Sequence, residues 1–213
     1  MRATKKSNGC PMPRVALFLN GQAPGIFPDL TQFEKIFCTD GAYHYLHDNG
    51  IKPDVVSGDF DSLRTDEILG DIEVIVMPDQ NFTDFEKSLE LISSLNFREV
   101  YIYGSSGMEH DHFLGNLSSG LKFKDKLTLI FFDDFSYYFF AEKNTVLEGY
   151  KGRMISLYPF PTAKKITTQG LLYSLNEEDL ELSKRIGIRN RAIEDKITIN
   201  YEEGELLVFV KKE

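Results

Sequence analysis

The sequence is short of the features that would commit it to a membrane, a thiolate metal scaffold or a nucleic acid. No apolar run reaches the ~18 residues that a membrane-crossing helix needs. Met1 to Asn8 is basic and polar, without the apolar segment of a secretory leader, so the expected location is the cytoplasm. Cysteine is scarce: Cys10 and Cys38 stand in unrelated contexts and form no C-x-x-C pair, which argues against a disulfide framework or a zinc site. Cys38 is read instead as a strand residue. Positive charge is also in deficit, with 24 Lys and Arg against 33 Asp and Glu, a net of −9. That is the wrong sign for a protein that neutralises nucleic-acid phosphates. A cationic or metal-accompanied ligand is easier to accommodate.

What is present suits a folded chain of one large or two small domains: 213 residues, 42% of them hydrophobic. Arg14 to Leu19 is a continuous apolar run closed by Asn20-Gly21, the pattern of a buried parallel strand ending in a turn. Ile36 to Thr39 is a second run ending in Asp40-Gly41, and Ala42 to Asn49 then has a helical pattern that stops at Gly50. Val74 to Met77 and Val100 to Tyr103 read as further strands, and Leu127 to Phe132 closes the series. A short helix is expected near Arg64 to Leu69. Thr83 precedes Glu86 by three residues as in a capping box, opening a helix with Phe85, Leu89 and Ile92 on one stripe. Asp111-His112 opens another helical segment.

The stretch with the most chemical content is Ser57-Gly58-Asp59-Phe60-Asp61-Ser62, directly after an apolar run. In extended backbone residues i and i+2 point the same way, so Asp59 and Asp61 are expected to face one point with Phe60 packed behind. Two carboxylates this close repel unless a cation lies between them. Hard oxygen ligands favour Mg²⁺, which takes one or two carboxylates plus phosphate oxygens. As an isolated Asp-x-Asp the pair reads more readily as loop and capping groups than as a metal site.

Strands alternating with helices from Arg14 to Asp133 predict an α/β unit with a doubly wound, mostly parallel sheet. Ligands of such sheets bind beyond the carboxyl ends of the strands. Asn20, Asp40, Asp59, Asp61, Gln80, Asp84, Ser105 and Asp111 all fall on that rim. Asp84 lies in the first turn of its helix, where free N–H groups also attract phosphate, and the Gly104 to Gly107 turn suits an anion. Past Phe135 short apolar runs alternate with Gly, Pro and Asn signals. These runs (Tyr137 to Ala141, Thr145 to Leu147, Met154 to Tyr158, Lys165 to Thr168, Lys196 to Tyr201, Leu206 to Val210) predict a smaller all-β sandwich or barrel. The expected division is residues 1–136 and 137–213.

Taken in order, several blocks resemble the thiamine pyrophosphokinase family. They are Thr39-Asp40-Gly41, Gly50-Ile51-Lys52-Pro53-Asp54, Gly58-Asp59-Phe60-Asp61-Ser62, Pro78-Asp79-Gln80 with Thr83-Asp84-Phe85-Glu86-Lys87, and Asp111-His112 with Asn116. In the second part the carriers are Ile155 to Phe160 and Thr168-x-Gly170-Leu171-x-Tyr173-x-Leu175. Three places depart from the family pattern. Met108-Glu109-His110 replaces a Gly-Arg, Arg189 precedes Asn190 where a serine is usual, and Asp40-Gly41-Ala42-Tyr43 replaces Asp-Gly-Gly-Ala.

The resemblance implies transfer of the pyrophosphoryl group of ATP to the hydroxyl of thiamine, with Mg²⁺ as cofactor and thiamine diphosphate and AMP as products. It implies Asp59, Asp61 and Asp84 as magnesium ligands, and Asp111 at a further metal or at the attacking hydroxyl. Asp40, Gln80, Thr83 and Lys87 are expected to hold the nucleotide, with Asn20 and Ser105 on the same rim, and Asn190 to meet the thiamine pyrimidine. A homodimer with its site at the subunit interface is implied as well. Two other readings stay open: a non-catalytic thiamine or nucleotide sensor, and a Mg²⁺-dependent phosphohydrolase using the Asp-x-Asp as nucleophile. His110 and His112 are expected at the surface, and Tyr137 to Phe140 in a strand.

Overall fold

The computed structural model describes residues 13–61, 63 and 70–212. The helix expected near Arg64 to Leu69 lies outside the described residues, as do Cys10 and Ser62. The chain divides into two compact units, one up to Asp134 and one from Phe135 onward. Among the described residues no helix is long and apolar enough to cross a membrane.

The first unit contains β1 (Arg14–Phe18), β2 (Lys35–Thr39), α1 (Asp40–Asp48), β3 (Val55–Gly58) and β4 (Glu73–Val76). These are followed by α2 (Asp84–Ser94), β5 (Glu99–Tyr103), α3 (His110–Phe123) and β6 (Thr128–Phe132). Its strands are ordered β4-β3-β2-β1-β5-β6, and each described pairing among them is parallel. The near-continuous apolar strands have a physical cause: helices cover both faces, so inward and outward positions are both dry. On one face Ala42, Tyr43 and Leu46 of α1 pack with Ala16, Phe18, Cys38 and Val56. On the other, Phe85 of α2 meets the edge of Phe131 at 6.0 Å, and Ser88 of α2 reaches Ser57 of β3. Leu46 is fully buried, and its truncation to Ala would cost about 2–5 kcal/mol.

Helix ends follow the sequence closely. Thr83 Oγ1 accepts from the Glu86 N–H, the expected N-cap of α2. α1 begins two residues earlier than its apolar pattern indicates, with Thr39 as N-cap residue and Asp40 already in its first turn.

The second unit is antiparallel: β7 (Ser136–Phe140), β8 (Asn144–Glu148), β9 (Met154–Gln169), β10 (Glu178–Glu181), β11 (Gly187–Arg191), β12 (Lys196–Asn200) and β13 (Glu203–Lys211). β13 lies between β7 and β9, while β12 joins β8 to the far end of β9. Two corrections to the sequence reading arise here. The runs at Met154 and Lys165 are one strand of 16 residues rather than two. Pro159 and Pro161 do not break it because β11 pairs only as far as Leu157 and β10 starts at Thr162, so no partner on that side needs their missing N–H groups. β10 and β11 were not legible, being short and polar. Tyr137 to Phe140 do lie in a strand.

Candidate active site

The site is built on the carboxyl ends of β2 and β3. Asp40 follows β2, and Asp59 and Asp61 follow β3. A ligand oxygen from each of the three lies within 4.8 Å of the others. Asp40 is buried, with Oδ1 accepting from the Gly41 N–H at 2.7 Å and Oδ2 from the Phe60 N–H at 2.9 Å. Burial pushes its pKa up against those two hydrogen bonds, and the charge of Asp84 adds to the rise. Asp59 goes the other way: Gln80 Nε2 donates to its Oδ2 at 2.7 Å and the Asp61 N–H to its Oδ1 at 3.2 Å, which lowers its pKa.

The way Asp59 and Asp61 converge differs from the expectation. β3 ends at Gly58, and Phe60 has φ 59°, so strand alternation does not aim the two carboxylates. A turn does, closed by Asp61 N–H on Asp59. Phe60 packs against the α1 face of the core as anticipated. Asp40, expected among the nucleotide contacts, has a carboxylate oxygen within 4.8 Å of those of Asp59 and Asp61. The available signal was the shared position at adjacent strand ends.

Asp84 opens α2, with its charge felt at Asp40. The Lys87 ammonium stands 2.7 Å from Asp84 Oδ1, an ion pair lacking hydrogen-bond alignment. The same ammonium donates to the carbonyls of Met77 at 2.8 Å and Asp79 at 3.2 Å. Beneath this turn Ser88 Oγ donates to the Asp84 carbonyl at 2.7 Å and lies 3.1 Å from Ser57 Oγ, both serines being buried. Ser88 has spent its single proton, so Ser57 is the donor of that pair.

The remaining candidates are dispersed. Asp111 is exposed on the first turn of α3, accepting from the His112 N–H, and is not among the three clustered carboxylates. His112 is exposed beside Glu109. Ser105 is buried, its carbonyl held by Asn116 Nδ2 at 2.9 Å. Asn20 lines an open cleft of about 530 Å³ with Gly41, His44, Tyr45 and Asp48. That cleft sits where the loops after β1 and β5 meet backbone to backbone, the Gly21 N–H donating to the Gly104 carbonyl. A Cβ on Gly21 would stand 2.2 Å from that carbonyl oxygen, so only glycine fits there. Asn190, in the second unit, spends its amide on Tyr173, donating to its carbonyl at 2.7 Å and accepting from its N–H at 3.0 Å. It braces the loop beside β11.

Three carboxylates with no soft ligand form a hard-oxygen set of the kind Mg²⁺ takes. One of them is destabilised as an anion first by burial and then by the charge of Asp84, which an added cation would relieve. Carboxylates at adjacent ends of parallel strands, with a cleft where two rim loops meet, define an α/β protein whose candidate ligand site lies on the strand-end rim.

Comparison with known proteins narrows the class. Residues 29–132 match the family described as thiamin pyrophosphokinase, catalytic domain, and residues 143–206 match thiamin pyrophosphokinase, vitamin B1 binding domain. The chain belongs to the thiamin pyrophosphokinase family. It is 27% identical over 228 residues to thiamine pyrophosphokinase 1 of Arabidopsis thaliana, covering 91% of this chain and 85% of that one. It is 27% identical over 201 residues to thiamine pyrophosphokinase of Bacillus subtilis, covering 88% and 94%. The fold is similar to the crystal structure of the Bacillus subtilis enzyme, with TM-score 0.78, 24% identity and 94% and 99% coverage. It is also similar to thiamin pyrophosphokinase from Candida albicans, with TM-score 0.82, 17% identity and 95% and 90% coverage.

Proposed function

We propose that this chain is a thiamine pyrophosphokinase, and that its reaction runs on the rim of a doubly wound sheet whose strand order reverses between β1 and β5. The thiamine hydroxyl oxygen attacks the β-phosphorus of ATP, and the bond from that phosphorus to the oxygen bridging to the α-phosphorus breaks. AMP leaves with the bridging oxygen, the hydroxyl proton passes to solvent, and thiamine diphosphate is formed. The observation that carries the reading is the convergence of Asp40, Asp59 and Asp61 at adjacent strand ends, in a chain that matches both domains of this family.

Asp40, Asp59 and Asp61 would hold Mg²⁺, with Asp84 close enough to share its field. A bound Mg²⁺ supplies neutralisation of the polyphosphate charge. The chain's own groups do the positioning: the Gly41 and Phe60 N–H groups aim Asp40, and Gln80 aims Asp59. Gln80 and Thr83 therefore act on the nucleotide through the site's shape, and the cleft beside Asn20 and Tyr45 is the place for the nucleoside. Asp111 is assigned to the attacking-hydroxyl side.

A homodimer fits the second unit. Leu172, Tyr173, Ile188 and Ile193 are all exposed there, and the Leu172 and Ile193 N–H groups donate to the Arg191 and Gly170 carbonyls, which sets the chain around 170–172 beside that around 191–193. Exposed apolar residues of this kind suit burial against a second copy. Incubation with ATP, Mg²⁺ and thiamine tests the reading: AMP should appear only when thiamine is present. Thiamine binding without turnover would make the chain a sensor, and free phosphate released without thiamine would make it a phosphohydrolase.

A further inference from the structure

Lys87 is the charged side chain whose geometry fits its expected role least. A phosphate-binding lysine presents its ammonium to an open site, as a mobile point charge. Here the side chain is only 9% exposed and its ammonium is enclosed by the Met77 carbonyl at 2.8 Å, the Asp79 carbonyl at 3.2 Å and Asp84 Oδ1 at 2.7 Å. An ammonium has three donors and no acceptor. Two donors are held by carbonyls, and a carboxylate oxygen stands at contact distance. A phosphate oxygen would have to displace one of the three.

Those acceptors are not scattered along the chain. Met77 and Asp79 belong to the segment that leaves β4, and Asp84 is the first residue of α2. The segment between them carries Gln80, whose amide holds Asp59 Oδ2 at 2.7 Å. One buried cation thus ties both ends of a connection whose middle sets a carboxylate of the cluster.

We propose that Lys87 is a positioning residue: it fixes the 77–84 connection so that Gln80 holds Asp59 and Asp84 faces the cluster, and it does not bind the phosphates. The inference deepens the pyrophosphokinase reading and rests on it for the kinetic consequence, while the structural consequence stands by itself. Lys87→Met keeps the apolar stem and removes the ammonium. Lys87→Arg keeps a cation but substitutes a planar fork that three acceptors placed around one nitrogen do not match.

Two measurements separate the roles. The first is amide hydrogen exchange of the full chain without ligands. In Lys87→Met the amides from 79 to 83 should exchange about tenfold faster than in the unsubstituted protein, with β1 and β5 unchanged. The second is steady-state kinetics with Mg²⁺ and ATP. Both Lys87→Met and Lys87→Arg should lower kcat by about tenfold or more with KM for ATP within about twofold, and adding Gln80→Ala to Lys87→Met should cost little further. Unchanged exchange in the 79–83 segment overturns the proposal. So does a tenfold rise in KM for ATP that Lys87→Arg restores, which is the signature of a phosphate contact, or a fall in Tm with kinetic constants unaltered, which is that of a merely structural lysine. If Lys87→Met fails to fold, Lys87→Gln carries the same exchange test. A chain that lacks pyrophosphokinase turnover altogether refutes the function while leaving the exchange result to decide on Lys87.

Discussion

Gly58 and Asp40 occupy one space: a Cβ at position 58 would lie 2.6 Å from the Asp40 carboxyl carbon and 2.7 and 2.9 Å from its oxygens. Asp40 is buried at this place and carries two backbone hydrogen bonds that fix both oxygens. It has no room to yield. Gly58→Ala should therefore push the carboxylate out of register, costing about 1–3 kcal/mol of stability from overpacking. Turnover should fall further than stability does. Urea denaturation beside kcat at saturating Mg²⁺ checks this, and full activity in a folded variant would show that the Asp40 position is not critical.

Asp61→Asn removes one charge from three crowded carboxylates. Repulsion is relieved without metal, so Tm should hold or rise slightly, whereas kcat should drop by roughly a hundredfold or more for loss of a metal-facing group. Chelation of Mg²⁺ should abolish what remains. Near wild-type turnover of the variant at ordinary Mg²⁺ would remove Asp61 from the site.

Much of the first unit was legible because buried parallel strands must be apolar on both faces. Runs such as Val15 to Leu19 and Ile36 to Thr39 could be little else, and their ends marked the rim. Asp59 and Asp61 were legible as a pair but for an incomplete reason: the left-handed Phe60 and the bond from Asp61 N–H to Asp59 bring them together where extended backbone was assumed. Backbone reversals at a non-glycine leave no mark in the residue pattern. Asp40 joined the cluster only in three dimensions. In the second unit, Pro159 and Pro161 read as strand breakers because a sequence does not show which side of a strand goes unpaired. β10 and β11 gave no apolar run, since each carries a single large apolar residue, Leu180 and Ile188, among polar ones.

The buried serines predict an asymmetric mutant cycle. Ser57 donates to Ser88, and Ser88 donates to the Asp84 carbonyl. Ser88→Ala strands the Ser57 hydroxyl as an unpaired buried donor, so it should cost about 1–3 kcal/mol, whereas Ser57→Ala loses one ordinary bond at about 0.5–1.5 kcal/mol. The double variant should be no less stable than Ser88→Ala alone. Additive losses in urea would show that the two hydroxyls do not interact.

Arg189 is exposed with φ 59°, and its backbone N–H is held by Ser156 Oγ. Nearby Glu178 pairs with Arg185. A guanidinium near a cationic thiazolium would oppose binding, whereas it would suit a polyphosphate. Arg189→Ser should raise KM for ATP several-fold more than KM for thiamine. An unchanged ATP constant with tighter thiamine binding would contradict that assignment.

The reaction itself is tested most directly by following the β-phosphorus of ATP. With thiamine, Mg²⁺ and ATP labelled only at that phosphorus, a single pyrophosphoryl transfer places the label in thiamine diphosphate and leaves AMP unlabelled, in equal amounts. Label found in ADP would mean that the γ-phosphoryl group alone leaves, to thiamine or to water, and label released as pyrophosphate or inorganic phosphate would mean hydrolysis that frees the β-phosphorus. Either result would contradict the assignment of this chain as a pyrophosphokinase.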